Sequence, residues 1–254
     1  MSVGIKTIVA PLMALLVALA GCNGLPNLNN PQGVGANYES YLTGGGVLVL
    51  ELDHSPGKAP PERVKDAMRQ EMSRITQKTV EIQTAADLPS RSADHTWSVD
   101  ELTTLAEQHQ DQQDRQGVVV MHALFVDGRI QNERIAGLAF LADTYAFALG
   151  TMEQNTCADS AVVCASGKPR YSNALRAVAI HEAGHLFGLV DITLPMVQPH
   201  EDQDHEGHSD NPDSVMWWEV EVGTRLSNLI TGGDDIPWQF DQNDIRDARA
   251  IQQG

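Results

Sequence analysis

Between residues 46 and 150 the chain alternates apolar, β-branched runs with segments of helical period, and that alternation leaves few folds open. Residues 46–53 (GVLVLELD) read as a strand. The next segment opens on two prolines and then places Val64, Met68, Met72 and Ile75 at helical spacing. Residues 80–85 (VEIQTA) are a second strand. Residues 97–117 read as a second helix, with Ser98 as N-cap, Glu101 three residues on and Gly117 as its stop. Residues 118–128 (VVVMHALFVDG) make a buried strand, and 136–150 make two short strands around Ala142-Asp143-Thr144. A long helix follows, and after Asp191 regular patterning stops until a closing helix with Asp241 as N-cap. The order predicts an α/β domain with a mostly parallel sheet and helices packed on one face.

The acidic balance excludes some partners. With 17 basic against 34 acidic residues and a net charge of −17, the chain offers no phosphate-neutralising patch, so nucleic acid is not expected. Adhesion to anionic lipid by surface charge is excluded on the same ground. The N-terminus offers another route to a membrane. Lys6 precedes an apolar run from Ile8 to Ala20 that is short for a transmembrane helix and has the layout of a secretory signal. Leu19-Ala20-Gly21-Cys22 resembles the lipobox of bacterial lipoproteins, which implies that Cys22 is lipidated and begins the mature chain; the alternative is an ordinary cleaved signal. Residues 22–45, rich in Asn, Gly and Pro, then read as lipidated cysteine and flexible tether. Lipidation of Cys22 leaves an even pair, Cys157 and Cys164, expected as a disulfide in an oxidising compartment or, on a second reading, as zinc ligands. Asn23 after the cysteine favours display at an outer membrane or cell surface over the inner membrane.

The chemistry is concentrated in residues 177–191, AVAIHEAGHLFGLVD. Residues i and i+4 of a helix share a face, so His181 and His185 can hold one metal ion. Glu182 is rotated roughly 100° away, able to reach a water at the open position without being forced to ligate. The helix has its own core stripe in Leu175, Val178, Ala179, Leu186 and Leu189. Gly188 can end it in the left-handed region, so that Asp191 comes round as the third ligand. Two histidines, one carboxylate and an open position describe a hydrolytic zinc site.

The pattern H-E-x-x-H-x-x-G-x-x-D resembles that of the metzincin clan of zinc metallopeptidases. The resemblance implies a zincin-like domain over residues 46–254, its upper part about 46–188 and its lower part about 189–254. It implies an antiparallel edge strand in a twisted sheet, with Gly137, Leu138, Ala139 and Phe140 aligning an extended peptide. It makes Met216 in DSVMWW the methionine of a turn beneath the metal. One departure stands out: many relatives carry a tyrosine just after that turn, where this chain has Trp217 and Trp218.

His200, His205 and His208 fall within nine residues of a long acidic loop. They read either as incidental histidines on a solvated loop, or as a second metal site holding zinc or calcium. His208 or His200 is also the reserve for Asp191 as third ligand. The chain is therefore expected to be a monomeric, lipid-anchored zinc endopeptidase acting on peptides or proteins, with Glu182 as general base. The alternative is a non-catalytic lipoprotein that keeps the same shell to bind a metal or a partner.

Overall fold

A computed structural model of the chain describes residues 33–131, 135–152, 169–221 and 237–253. Its main sheet contains β1 (Val47–His54), β2 (Thr79–Ala85), β4 (Val118–Val126), β6 (Gly137–Ala139) and β7 (Thr144–Ala148), in the order β2-β1-β4-β7-β6. β1 pairs in parallel with both β2 and β4, and β4 with β7. β6 closes one edge antiparallel to β7, with Gly137 opposite Phe147 and Ala139 opposite Tyr145. β3 (Thr96–Trp97) and β5 (Arg129–Ile130) form a small parallel ladder of their own. The mixed, mostly parallel sheet with an antiparallel edge is the expected one.

The helices do not all lie on one face. Leu48, Leu50, Leu52, Met121, Ala123, Phe125 and Phe147 share a core with α2 (Glu62–Ile75) and α4 (Pro169–Leu186). Leu124, Val126, Ala146 and Ala148 instead share a core with Leu102, Leu105 and Ala106 of α3 (Val99–His109). The reason is in the strands. β4 and β7 are apolar on both faces, and a strand of that kind must be covered twice. α3 is also shorter than its sequence suggests, ending well before Gly117. The Glu51 carboxylate accepts hydrogen bonds from the backbone N–H groups of Asp111 and Gln112 and draws the chain out of the helix. Its start is as expected: Ser98 and Glu101 make a reciprocal capping box.

The segment read as a tether belongs in part to the domain. Residues 38–42 form α1 (Tyr38–Leu42), and Tyr41 and Leu42 are buried. The Tyr41 hydroxyl donates to the Val120 carbonyl at 3.0 Å, and Thr193 donates to the Gly35 carbonyl at 2.6 Å. Two buried apolar side chains at the end of a polar run are enough to dock it. Residues 1–21, the lipidation residue Cys22, and the pair Cys157 and Cys164 lie outside the described residues. Among the described residues no helix is long and apolar enough to cross a membrane.

α4 runs through the middle of the molecule. Every residue from Ala177 to Val190 is buried, so the helix is enclosed on all sides rather than amphipathic. Beyond it the chain forms the acidic loop, a short 3-10 turn (Trp218–Val220) and the closing helix α5 (Gln242–Gln252). Asp241 caps α5 as expected, in a reciprocal box with Asp244.

Candidate metal centre

His181 and His185 project from one face of α4 with their Nε2 atoms 3.1 Å apart. The Nδ1–H of His181 donates to the Val215 carbonyl at 2.7 Å. That bond fixes the tautomer and leaves the Nε2 lone pair directed into the site. Val215 precedes Met216, so the methionine turn anchors the first histidine through its backbone. Met216 itself is fully buried, and its sulfur lies directly against Gly184, between the two histidines. Any side chain at Gly184 would overlap that sulfur, which accounts for the glycine in the middle of the helix.

The third imidazole comes from the loop. His208 stacks on His181, ring centroids 5.2 Å apart and planes 25° from parallel, and meets His185 edge-on at 5.1 Å. Its Nδ1–H donates to the Glu206 carbonyl at 3.1 Å, again leaving Nε2 facing inward. The loop is pinned on both sides of it. Asp202 N–H donates to the His208 carbonyl, and Ser209 N–H to the Met216 carbonyl, each at 2.8 Å. Glu221 completes the group. Its carboxylate and the three imidazoles each place one ligand atom within 4.8 Å of the others, and all four residues are buried.

Asp191 is not part of this group. The chain leaves α4 as expected, with Gly188 at φ 71°, but Val190 and Asp191 follow at φ 51° and 61°. The tight turn brings the N–H groups of Thr193 and Leu194 back to the Gly188 carbonyl. Its apex, with the Asp191 side chain, is left exposed to solvent. The residue held in reserve, His208, stands where Asp191 was expected. A sequence signal existed: His208 lies on the same loop as Met216, only eight residues before it, and a loop whose floor is fixed beneath the histidines must pass close to them. Glu221 was missed, and nothing in its sequence surroundings marks it.

The other loop histidines go elsewhere, so the loop does not gather them into a second site. His205 stacks flat on Trp218, centroids 4.0 Å apart. His200 is buried beside α5, 2.9 Å from Asp247, with Asp241 and Asp244 close by. Those two carboxylates are engaged by the cap of α5, by Asn211 and by Ser214.

Glu182 is 1% exposed. One oxygen accepts the N–H of Ala139 in the edge strand at 2.8 Å, and the other has no hydrogen-bond partner among the described residues. Burial raises its pKa well above the usual carboxylate range, Glu221 adds to the rise, and the Ala139 N–H opposes it. Gly137, also in β6, gives it room: a Cβ there would lie 2.7 Å from Oε1. β6 is thus the sheet edge nearest the base. Phe140 falls just past it, its N–H donating to Thr144 in the turn to β7.

The residues fit zinc. Three imidazoles direct bare Nε2 atoms to one point, two of them with tautomers fixed by backbone carbonyls. Burial lowers the His181 pKa to about 4, with His208 adding to the fall. Burial also holds His185 well below its ordinary value, reinforced by the other two rings. His181 and His185 are therefore neutral near pH 7, as ligation requires.

Comparison with known proteins agrees with this geometry. A search of curated proteins finds no match to the chain. Among solved structures, archaemetzincin from Methanopyrus kandleri superposes with a TM-score of 0.52 at 13% identity, covering 80% of this chain and 94% of that one. A zinc-dependent peptidase from Methanocorpusculum labreanum gives a TM-score of 0.50 at 15% identity, covering 78% and 99%. At such identities the likeness is one of fold. The sequence profile of metallo-peptidase family M12B, reprolysin-like, matches residues 61–190, just over half of the 254 residues and including the whole histidine helix. The chain thus belongs to the reprolysin-like metallopeptidases of family M12B.

Proposed function

We propose that the protein is a zinc endopeptidase, exported and anchored to a bacterial outer membrane or cell surface by lipid on Cys22, that cleaves extended peptide segments. The observation that carries the catalytic part is the convergence of three Nε2 atoms beside a buried glutamate with one oxygen free. Zinc held by His181, His185 and His208 would supply an acidified water and a Lewis acid for the scissile carbonyl.

The protein residues then do the following. The free Oε1 of Glu182 accepts the proton of the attacking water, while the Ala139 N–H on Oε2 stops the carboxylate from rotating away. Its affinity for a proton, raised by burial, suits it to hand that proton on to the leaving amine. A peptide laid along β6 by main-chain pairing would present an internal bond to this pair, which favours an endopeptidase of broad sequence preference. The anchor is supported by Leu19-Ala20-Gly21-Cys22 after a short apolar run.

The test compares the full chain with its Glu182→Ala variant on a peptide library, with zinc per chain measured on the same samples. Cleavage by the parent alone, with zinc retained in both, is the expected result. Equal turnover by the two would remove Glu182 from the mechanism. A binding lipoprotein is favoured by one observation, the Glu221 carboxylate at the metal centre, and it predicts zinc bound without hydrolysis by either chain.

A further inference from the structure

We propose that Glu221 is a fourth protein ligand of the zinc site, occupying in the resting molecule the position that a peptide must take. The inference rests on the zinc-peptidase reading above and adds a built-in plug to it.

Geometry leads there. A backbone carbonyl can only accept, so Nδ1 of His208, which faces the Glu206 carbonyl, carries a proton and is not the ligating nitrogen. Nε2 is the nitrogen left for the site, and it lies 3.0 Å from Oε2 of Glu221, both residues being buried. A ring nitrogen and a carboxylate oxygen at that distance, away from water, need a cation to share, a proton or a metal ion. His181 repeats the pattern: its proton is committed to Val215, and its bare Nε2 is 3.1 Å from that of His185. Ligands about 2.05 Å from one tetrahedral zinc lie about 3.3 Å from each other. The separations of 3.0 and 3.1 Å are those of neighbouring ligands on a single ion.

The backbone of Glu221 is placed with equal consequence. Its carbonyl accepts the N–H of Ala136 at 3.2 Å, immediately before the edge strand. One residue therefore holds the metal's open position with its side chain and the entrance to β6 with its main chain. A site closed by four protein ligands has no vacancy for substrate. Peptide entry then requires the Glu221 carboxylate to leave, so that its position would be open to the attacking water and the substrate carbonyl oxygen.

The test uses the full chain loaded with Co2+ in place of zinc, together with its Glu221→Gln and Glu221→Asp variants. Visible absorption reports the ligand set, and competition with a chelator reports metal affinity. Glu221→Gln should change the spectrum and weaken Co2+ binding by about ten-fold or more. Glu221→Asp keeps the charge but shortens the reach; it should also shift the spectrum, and it serves as the test if the glutamine variant does not fold. Parent-like spectra and affinities in the folded variants would overturn the proposal. Hydrolysis separates the two readings. An active enzyme with a spectrum indifferent to residue 221 loses the plug and stays a peptidase. A shifted spectrum in a chain that cleaves nothing keeps the fourth ligand and loses the peptidase.

Discussion

His208 stacks on His181 across 5.2 Å, although one sits in an acidic loop and the other in the buried helix α4. The stack exists because the loop is held at both ends of the histidine, to Asp202 on one side and to the methionine turn on the other. It makes His208, and not Asp191, the third imidazole-side partner of the helix pair. His208→Ala should lower zinc affinity by more than roughly 100-fold, since losing a ligand costs more than the 10–100-fold typical of a supporting residue. Asp191→Ala, at an exposed turn, should leave zinc content unchanged. Metal titration of both variants decides the matter. Zinc lost from the Asp191 variant and kept by the His208 variant would reverse the assignment.

Gly184 and Met216 make a second testable pair. In an exposed helix, glycine to alanine gains up to about 1 kcal/mol of helix propensity. Here the new methyl group would run into the methionine sulfur, and overpacking of that kind costs about 1–3 kcal/mol. The clash should win, so Gly184→Ala destabilises the chain. In a Met216→Ala background most of that cost should disappear, because the sulfur is gone and only Phe240 Cε1, at 3.1 Å, still presses on the new methyl group. Chemical denaturation of the four chains in a double-mutant cycle measures the difference. A cost at Gly184 that persists without Met216 would show that the sulfur is not its cause.

What the sequence made legible follows from how local each signal is. The strands and the capped starts of α3 and α5 are written in patterns of a few residues and stand as expected; the His181-Glu182-His185 triplet is local in the same way. The end of α3 was not legible, because Glu51, on a strand distant in sequence, sets it. The second helical layer was misjudged because apolar β4 and β7 runs do not say which face a following helix will cover. Asp191 was misplaced for a different reason. Spacing delivers a residue to a site only if the turn curls the right way, and two successive left-handed residues turn this one outward. Glu221 enters through tertiary structure alone.

The tether reading makes a further prediction about length. Removing residues 1–32 leaves every described residue in the chain. Starting the chain at Gly44 instead deletes Tyr41 and Leu42, both buried, and the Tyr41 bond to Val120. Full burial of a large apolar side chain is worth about 1.5–3 kcal/mol, so the longer truncation should cost several kcal/mol. Thermal unfolding of chains begun at Gly33 and at Gly44 tests this. Equal melting temperatures would mean that α1 does not stabilise the domain.

Asp244 ties the methionine turn to the closing helix, accepting the Ser214 hydroxyl at 2.8 Å, and it does so from a fully buried position. Burial, reinforced by Asp241, pushes its pKa from 3.8 up to about 6. A carboxyl raised in this way holds its proton more tightly in the folded chain than in the unfolded one. Its contribution to stability is fully present below about pH 4 and is lost as pH rises through 6, with a ceiling of about 3 kcal/mol. Asparagine keeps an acceptor oxygen for Ser214 and cannot ionise. The stability of Asp244→Asn relative to the parent should therefore improve steadily between pH 4 and pH 7. Titration of the metal-centre histidines is common to both chains and cancels in the difference. Unfolding free energies measured for the pair at a series of pH values give the curve directly, and a flat one would mean that Asp244 stays ionised despite its burial.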